Sequence, residues 1–468
     1  MKKSFLYIWM MLFASFLHAQ RKMNVVFILS DDQTWNTIHA LGNAHIITPG
    51  LDRLVKMGTS FTRAHVMGGR QGAICMPSRV MILTGRYENR LQKDGAVIPV
   101  ETPTFPELLR AKGYITYQSG KWHSDKASYN RSFSTGDNIF FGGMNFPDSG
   151  GQEKPQMFHY DPTGRYPYSA KWQGNGFSSA YYAAAAVNFI NKQKNSDTPF
   201  VCYLAFTSPH DPRTAPERFR KMYDPGKIPL PPSFMPQHPF DNGELQVRDE
   251  LLLPKPLNKD SIKKEIAEYY AMITEMDSHV GEVLDALEAN GMMDNTLIVF
   301  AGDNGLAVGN HGLLGKQNLY DPSVRVPLII AGPGLPKNKR SDALCYLSDI
   351  GPTVLDFTGT AIPASVESKS LLPVIKNNAP LRDHIYFLYR DLMRGIRTSD
   401  NWKLLLYNVN GVHTTQLFNL NKDPYELHNL AGDKQYSHKV QALTALLQKD
   451  MGDAGDDLDI SKPGWKKE

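Results

Sequence analysis

The residues Asn24-Val25-Val26-Phe27-Ile28-Leu29 form an uninterrupted apolar run of strand length that stops abruptly at Ser30-Asp31-Asp32-Gln33. A strand with one wet face alternates polar and apolar residues, so an unbroken run predicts burial on both faces, as in a parallel sheet covered by helices. Ligands gather at the carboxyl ends of such strands. The pattern recurs along the chain. Residues 114–118 run into Ser119-Gly120-Lys121-Trp122-His123, and 199–206 into Thr207-Ser208-Pro209-His210-Asp211-Pro212-Arg213. Residues 296–301 end at Gly302-Asp303-Asn304-Gly305, and 326–331 at Gly332-Pro333-Gly334. A further short strand is expected over 61–66.

Helical patterns alternate with these runs. Thr48-Pro49 opens a helix toward Gly58, residues 104–112 repeat the pattern, 178–194 carry an alanine-rich face, and a helix is expected over 348–359. The clearest helix spans 261–290, with Ile262, Ile266, Tyr269, Ile273, Met276, Val280, Val283 and Leu287 at three- and four-residue steps before Gly291. Strand and helix in alternation specify an α/β layer architecture. Residues 124–176 are aromatic, Gly-rich and irregular and read as loops over the sheet end. The proline-dense stretch 213–261 reads as an insertion wrapped on the surface. After Pro363 the pattern changes to short strands at 385–389, 393–398, 403–407 and 416–419 with a helix over 437–451, which predicts a small antiparallel sheet under one covering helix. The expected organisation is a catalytic α/β unit over 20–363 and a C-terminal subdomain over 364–468.

Composition excludes some functions. Against 51 basic residues stand 47 acidic ones, a net charge of +4, which supplies no field for nucleic acid. At the N-terminus Lys2-Lys3, an apolar run from Phe5 to Leu17 and Ala19 read as a secretory signal over residues 1–19, too short for a comfortable membrane span; no later stretch approaches the length of one. An exported, periplasmic or secreted protein without an integral membrane segment is therefore expected. Only Cys75, Cys202 and Cys345 are present, and the last two sit in apolar runs that favour buried free thiols over a bridge.

The most specific chemistry lies in Cys75-Met76-Pro77-Ser78-Arg79-Val80-Met81-Ile82-Leu83-Thr84-Gly85-Arg86. Pro77 suits the first turn of a helix and Gly85 can stop it, so Cys75 is expected at a helix start where free amides and the dipole favour anions. Arg79 lies one turn on, on the same face. These twelve residues resemble the signature of the type I sulfatases, Cys-x-Pro-Ser-Arg followed by x-x-x-Leu-Thr-Gly-Arg, at every defined position. The resemblance implies an alkaline-phosphatase-like fold with a large mixed, mostly parallel sheet between helices. It also implies that a formylglycine-generating maturation enzyme acts on residues 75–86 and converts Cys75 into formylglycine, whose hydrate is the nucleophile.

Asp31-Asp32 and Asp303-Asn304, at two strand ends, supply three carboxylates and an amide, hard oxygen ligands that suit Ca²⁺ or Mg²⁺ rather than zinc. The resemblance makes them the metal site, generally for calcium. Gly120-Lys121-Trp122-His123, Ser208-Pro209-His210 and Gly315-Lys316 resemble the family's basic elements. In the implied mechanism His210, helped by Lys316, protonates the leaving oxygen, His123 takes the proton that releases sulfate, and Arg79 and Lys121 hold the hydrate and the metal ligands. Asp211, Arg213 and His311 flank these groups and are candidate contacts to substrate. The chain looks like an exported bacterial glycan sulfatase, an exo-acting enzyme on a galactose-, hexosamine- or uronate-containing saccharide. Two alternatives stand beside this reading: a phosphodiesterase or phosphonate hydrolase of the same superfamily, and a catalytically silent glycan-binding relative. For the leader, the expected outcome is cleavage after Ala19, so that N-terminal sequencing of protein recovered from an exporting host starts at Gln20.

Overall fold

The computed structural model describes residues 23–465; the leader expected over 1–19 lies outside them. At the centre of the molecule is an eight-stranded sheet. Its strands run in the order Lys339–Ser341, Thr59–Phe61, Leu328–Ala331, Thr296–Gly302, Asn24–Ser30, Phe200–Ala205, Ile115–Lys121 and Thr135–Phe140. From Thr296–Gly302 to Thr135–Phe140 all neighbours are parallel, whereas Leu328–Ala331 is antiparallel to both of its neighbours. The sheet is thus mixed and mostly parallel, as the resemblance implies.

Asn24–Ser30 is buried on both faces over its whole length, which accounts for its lack of polar alternation. Val25, Phe27 and Leu29 face one core with the helices Cys75–Thr84, Phe105–Ala111 and Ile350–Phe357. Val26 and Ile28 face the other, packed under Pro49–Met57, Ser178–Lys192 and the C-terminal half of Lys259–Ala289. The N-terminal half of that last helix turns Ile262, Ile266, Tyr269 and Ile273 onto the proline-rich insertion instead.

Three local expectations change. Residues 61–66 are not one strand: Thr59–Phe61 joins the large sheet, and Ala64–His65 joins a three-stranded one with Arg325–Val326 and Cys345–Tyr346. Pro327 likewise divides 326–331, because a residue without an N–H cannot continue the ladder. Within 124–176, the helix Lys126–Ser132 and the strand Thr135–Phe140 interrupt the expected loops. That strand is the sheet's edge, and its half-exposed start Thr135-Gly136-Asp137 lacks the apolar run that marks the central strands. The three cysteines are buried and free.

The C-terminal strands His384–Tyr389, Met393–Thr398, Trp402–Val409 and Val412–Asn419 form the expected antiparallel meander, with Ser437–Ala454 packed on it. The sheet acquires a fifth, parallel strand from Gly68–Gly69, just before the Cys75 helix. A buried ion cluster completes the joint. Asp321 accepts from Arg397 at 2.8 Å and from Lys403 at 2.8 Å, and Lys403 also reaches Glu426 at 2.6 Å. Burial alone would raise the Asp321 carboxyl, but Arg397, Lys403 and Arg325 outweigh it and hold the group well below its ordinary 3.8. Removing one partner of such a cluster strands the others, so Asp321→Ala is expected to lower unfolding free energy by about 3–5 kcal/mol in denaturant titrations at neutral pH. Because the folded-state value is depressed, that contribution is full above 3.8 and declines as acid drives pH below it, so the gap between the two proteins narrows in acid.

Candidate active site

Register brings the acidic clusters together. Ser30 pairs with Gly302 in a parallel ladder, so Asp31-Asp32 and Asp303-Asn304 leave adjacent strands side by side. The backbone turns over at Asp32, φ +66°, where its amide donates to Asp303 Oδ1 at 3.0 Å. Asn304 Nδ2 donates to Asp32 Oδ1 at 2.7 Å. Asp31 Oδ1 and Asn304 Oδ1 are buried and accept no hydrogen bond. Single atoms of Asp31, Asp32 and His210 lie within 4.8 Å of one another, as do those of Asp31, Cys75 and Asp303. Two orphaned oxygens among buried carboxylates fit a divalent cation that prefers oxygen.

Cys75 opens the helix Cys75–Thr84, and Gly85 in the left-handed region ends it, its N–H donating to the Met81 carbonyl. Arg79 is 1% exposed. Its Nε donates to Asp303 Oδ2 at 2.9 Å, its Nη1 donates to the Lys121 carbonyl at 3.0 Å, and its Nη2 lies 3.7 Å from Asp31. Lys121 arrives from the strand Ile115–Lys121, which shifts register between Gln118 and Gly120. A Cβ on Gly120, at φ +91°, would lie 1.9 Å from the Ala205 carbonyl oxygen, so this bulge requires glycine. Lys121 Nζ then reaches Asp31 Oδ2 at 2.6 Å and Cys75 Sγ at 3.5 Å. Lys316 Nζ reaches both Asp32 oxygens, at 2.7 and 2.9 Å, and lies 3.9 Å from Sγ. His123 Nδ1 is 3.5 Å from Sγ.

These contacts set the protonation states. Burial raises the Cys75 thiol even though Lys121 and Lys316 oppose it. Burial, reinforced by Lys121 and Arg79, lowers His123 well below its ordinary value, which leaves a neutral ring beside Sγ. Burial would also lower His210, but Asp32 and Asp31 outweigh it and raise the group. Asp303 is pushed up to about 6 by burial and by its neighbour Asp31. Asp31 moves down because Lys121, His210 and Arg79 outweigh its own burial.

Ten expected residues therefore meet in one buried cluster: Cys75, Arg79, Lys121, His123, His210, Lys316, Asp31, Asp32, Asp303 and Asn304. The three candidate substrate contacts, Asp211, Arg213 and His311, each have a partner within the protein. Asp211 is held by Arg248 through both terminal guanidinium nitrogens; its backbone carbonyl lies 2.8 Å and its carboxylate 3.1 Å from His210 Nδ1, so it holds a site histidine. Arg213 is buried against Glu265 of the long helix at 2.7 Å. His311 stacks on Tyr320 with ring centroids 3.9 Å apart, and burial lowers it to about 3. Sequence reasoning missed the support under Lys316. Glu250 accepts from the amides of Leu314 and Gly315, and Asp249 accepts from Gln317 Nε2 at 2.8 Å. The charged triplet Arg248-Asp249-Glu250 inside a proline-rich stretch was the available signal.

Cations converging on one small space above an oxygen-donor cluster define a hydrolase for esters of a tetrahedral oxyanion. The chain belongs to the sulfatase family: the Sulfatase model matches residues 23–360, and the N-sulphoglucosamine sulphohydrolase C-terminal model matches 309–452. It is a sulfuric ester hydrolase of the alkaline-phosphatase-like superfamily. An ulvan-active sulfatase of Formosa agariphila is 28% identical over 467 residues, covering 93% of this chain and 82% of its own length. The N-acetylglucosamine-6-O-sulfatase of Bacteroides thetaiotaomicron is 26% identical over 511 residues, covering 92% and 86%. The phosphonate monoester hydrolase of Agrobacterium radiobacter shares the fold, with a TM-score of 0.75 at 21% identity over 92% of this chain and 96% of that one.

The contacts of Asp211 give a discriminating expectation. Asp211→Ala should lower kcat roughly 10–100-fold, the range for removing a partner that orients a site histidine, with KM nearly constant. Steady-state kinetics check this; a raised KM at unchanged kcat would instead mark Asp211 as a direct contact to substrate.

Proposed function

We propose that this sulfatase removes an O-sulfate from the outermost sugar of a sulfated saccharide, with Cys75 matured to formylglycine and calcium held by Asp31, Asp32, Asp303 and Asn304. The observation that carries the chemistry is the surround of Cys75 Sγ: His123 Nδ1 and Lys121 Nζ at 3.5 Å and Lys316 Nζ at 3.9 Å, at the head of a helix. Hydrated formylglycine would supply a nucleophilic oxygen and a second hydroxyl whose deprotonation frees the sulfate, while a bound cation would polarise a sulfate oxygen. The side chains divide the rest of the work. Lys121 and Lys316 face the reacting position as anion clamps. His123, neutral and beside that position, accepts the proton at release. His210, fixed through Nδ1, presents Nε2 to the leaving oxygen. Arg79 takes no proton and holds Asp303 and the Lys121 backbone in place.

The saccharide rests on the two relatives, one ulvan-active and the other acting on N-acetylglucosamine-6-O-sulfate. Export to the periplasm or the medium, and a maturation enzyme acting on residues 75–86, complete the reading. The experiment that tests it is sulfate release from a panel of defined sulfated saccharides, run beside an aryl sulfate and an aryl phosphonate. Sulfate from at least one saccharide is expected, and phosphonate hydrolysis as the stronger activity would overturn the reading. Cys75→Ala should reduce turnover by about 10⁴-fold or more with the melting temperature little changed. Mass spectrometry of the tryptic peptide containing residue 75 should show the aldehyde in protein made with a formylglycine-generating enzyme; full activity with the thiol intact would exclude the covalent role.

A further inference from the structure

The segment beside the site carries a second cavity, of about 420 Å³, and its wall chemistry is unlike that of the buried cluster. Aromatic rings form one part of it. Phe141 lines it, and two large rings are left in solvent at its mouth, Phe146 at 57% exposure and Tyr168 at 77%. Rings held in water at a cavity mouth are what sugar faces stack on, since burying their apolar face repays the exposure. The other part is cationic. Lys126, Lys154 and Lys171 line the cavity, and no carboxylate does.

Among the described residues none of these three lysines has a carboxylate within 4.0 Å, although the chain's charges nearly balance and many of its cations are paired. Lys171 lies 4.5 Å over the Tyr168 ring and donates to Gln156 at 3.1 Å, while Lys126 donates to the Tyr166 carbonyl at 3.0 Å. Two of the ammonium groups are thus held in place by neutral partners and keep their charge for something else.

The wall of the cavity adjoins the catalytic cluster. Gly142 and Met144 line it; between them a Cβ on Gly143 would lie 2.8 Å from His123 Nε2, and Met144 Sδ meets Arg248 Nη1 at 3.1 Å. The chain that walls this cavity therefore also packs against His123.

We propose that this cavity is a second saccharide subsite, taking a sugar unit that bears a carboxylate or a further sulfate and is joined to the sugar whose sulfate is removed. The proposal rests on the saccharide reading above and narrows it to acidic oligosaccharides in preference to single sulfated sugars. Stacking on Phe146 and Tyr168 orients the ring, and Lys154 and Lys171 meet its anionic group.

The test compares wild type with two double variants, Lys154→Ala with Lys171→Ala and Phe146→Ala with Tyr168→Ala, on tetrasaccharides from heparin, chondroitin sulfate and carrageenan and on 4-nitrophenyl sulfate. The expected result is a fall of about tenfold in kcat/KM for the cleaved tetrasaccharide relative to the aryl sulfate, carried by KM, and a wild-type preference that shrinks as salt is added. An unchanged ratio in both variants, with wild type cleaving a tetrasaccharide, overturns the subsite and leaves the saccharide reading intact. If wild type cleaves only the aryl sulfate, calorimetry of Cys75→Ala with the same tetrasaccharides decides. Binding weakened by the double substitutions supports the subsite, and no binding overturns subsite and saccharide together.

Discussion

Three carboxylates brought to the ends of two adjacent buried strands cannot share that space unless cations meet them there. Asp31, Asp32 and Asp303 are each 2% exposed or less, and the in-register ladder from Asn24 to Ser30 fixes their spacing before any ligand arrives. The desolvation of a charge in such surroundings amounts to several kcal/mol and is offset only by close, well-oriented partners. Arg79, Lys121 and Lys316 are those partners, one from the helix of the Cys75 motif, one from the end of the glycine-bulged strand Ile115–Lys121 and one from the loop that follows Asp303-Asn304. The basic groups around Cys75 are thus the counter-charges that let the acidic floor exist, and this couples the site's electrostatics to the fold's stability at the same atoms.

Strain is held by the same means. Asp32 occupies the left-handed region at φ +66°, a conformation that persists only where the surroundings overdetermine it. Tyr269, on the long helix Lys259–Ala289, supplies the constraint: its hydroxyl donates to the Asp32 carbonyl at 2.6 Å and accepts from the Thr34 amide at 3.0 Å. That helix packs on the sheet through Met276, Val280, Val283 and Leu287 in its second half, which anchors the tyrosine in its first. Apolar periodicity in the sequence is therefore what finally aims the Asp32 carboxylate.

Much of this was legible in the residues because it depends on local pattern. Continuous apolar runs marked the central strands, polar residues after them marked the sheet end, and the Cys75 motif marked the family. What escaped depends on packing at a distance. The edge strand Thr135–Phe140 has no double-sided burial to produce an apolar run. The partners of Asp211, Arg213 and His311 depend on side-chain direction, which sequence proximity does not give: one holds His210, one turns to Glu265, and one stacks on Tyr320. Glu250 and Asp249 support the Lys316 loop from a stretch whose prolines advertised only the absence of regular structure.

The C-terminal sheet bears on the same cluster through topology rather than contact. Its edge strand is Gly68–Gly69, six residues before Cys75, so the approach to the signature helix is hydrogen-bonded to His384–Tyr389. On the other flank Asp321, five residues after Lys316, is pinned by Arg397 and Lys403. Two of the chain segments that close on the reacting position are thereby tied to one antiparallel sheet outside the catalytic layer. A sheet that fixed only one of them would leave the distance between Cys75 and Lys316 free to vary; fixing both makes that 3.9 Å separation a property of the whole fold. The outer loops from Phe141 to Lys171 are free of this constraint, and they are where the chain can change which sugar it accepts without disturbing how it breaks the ester.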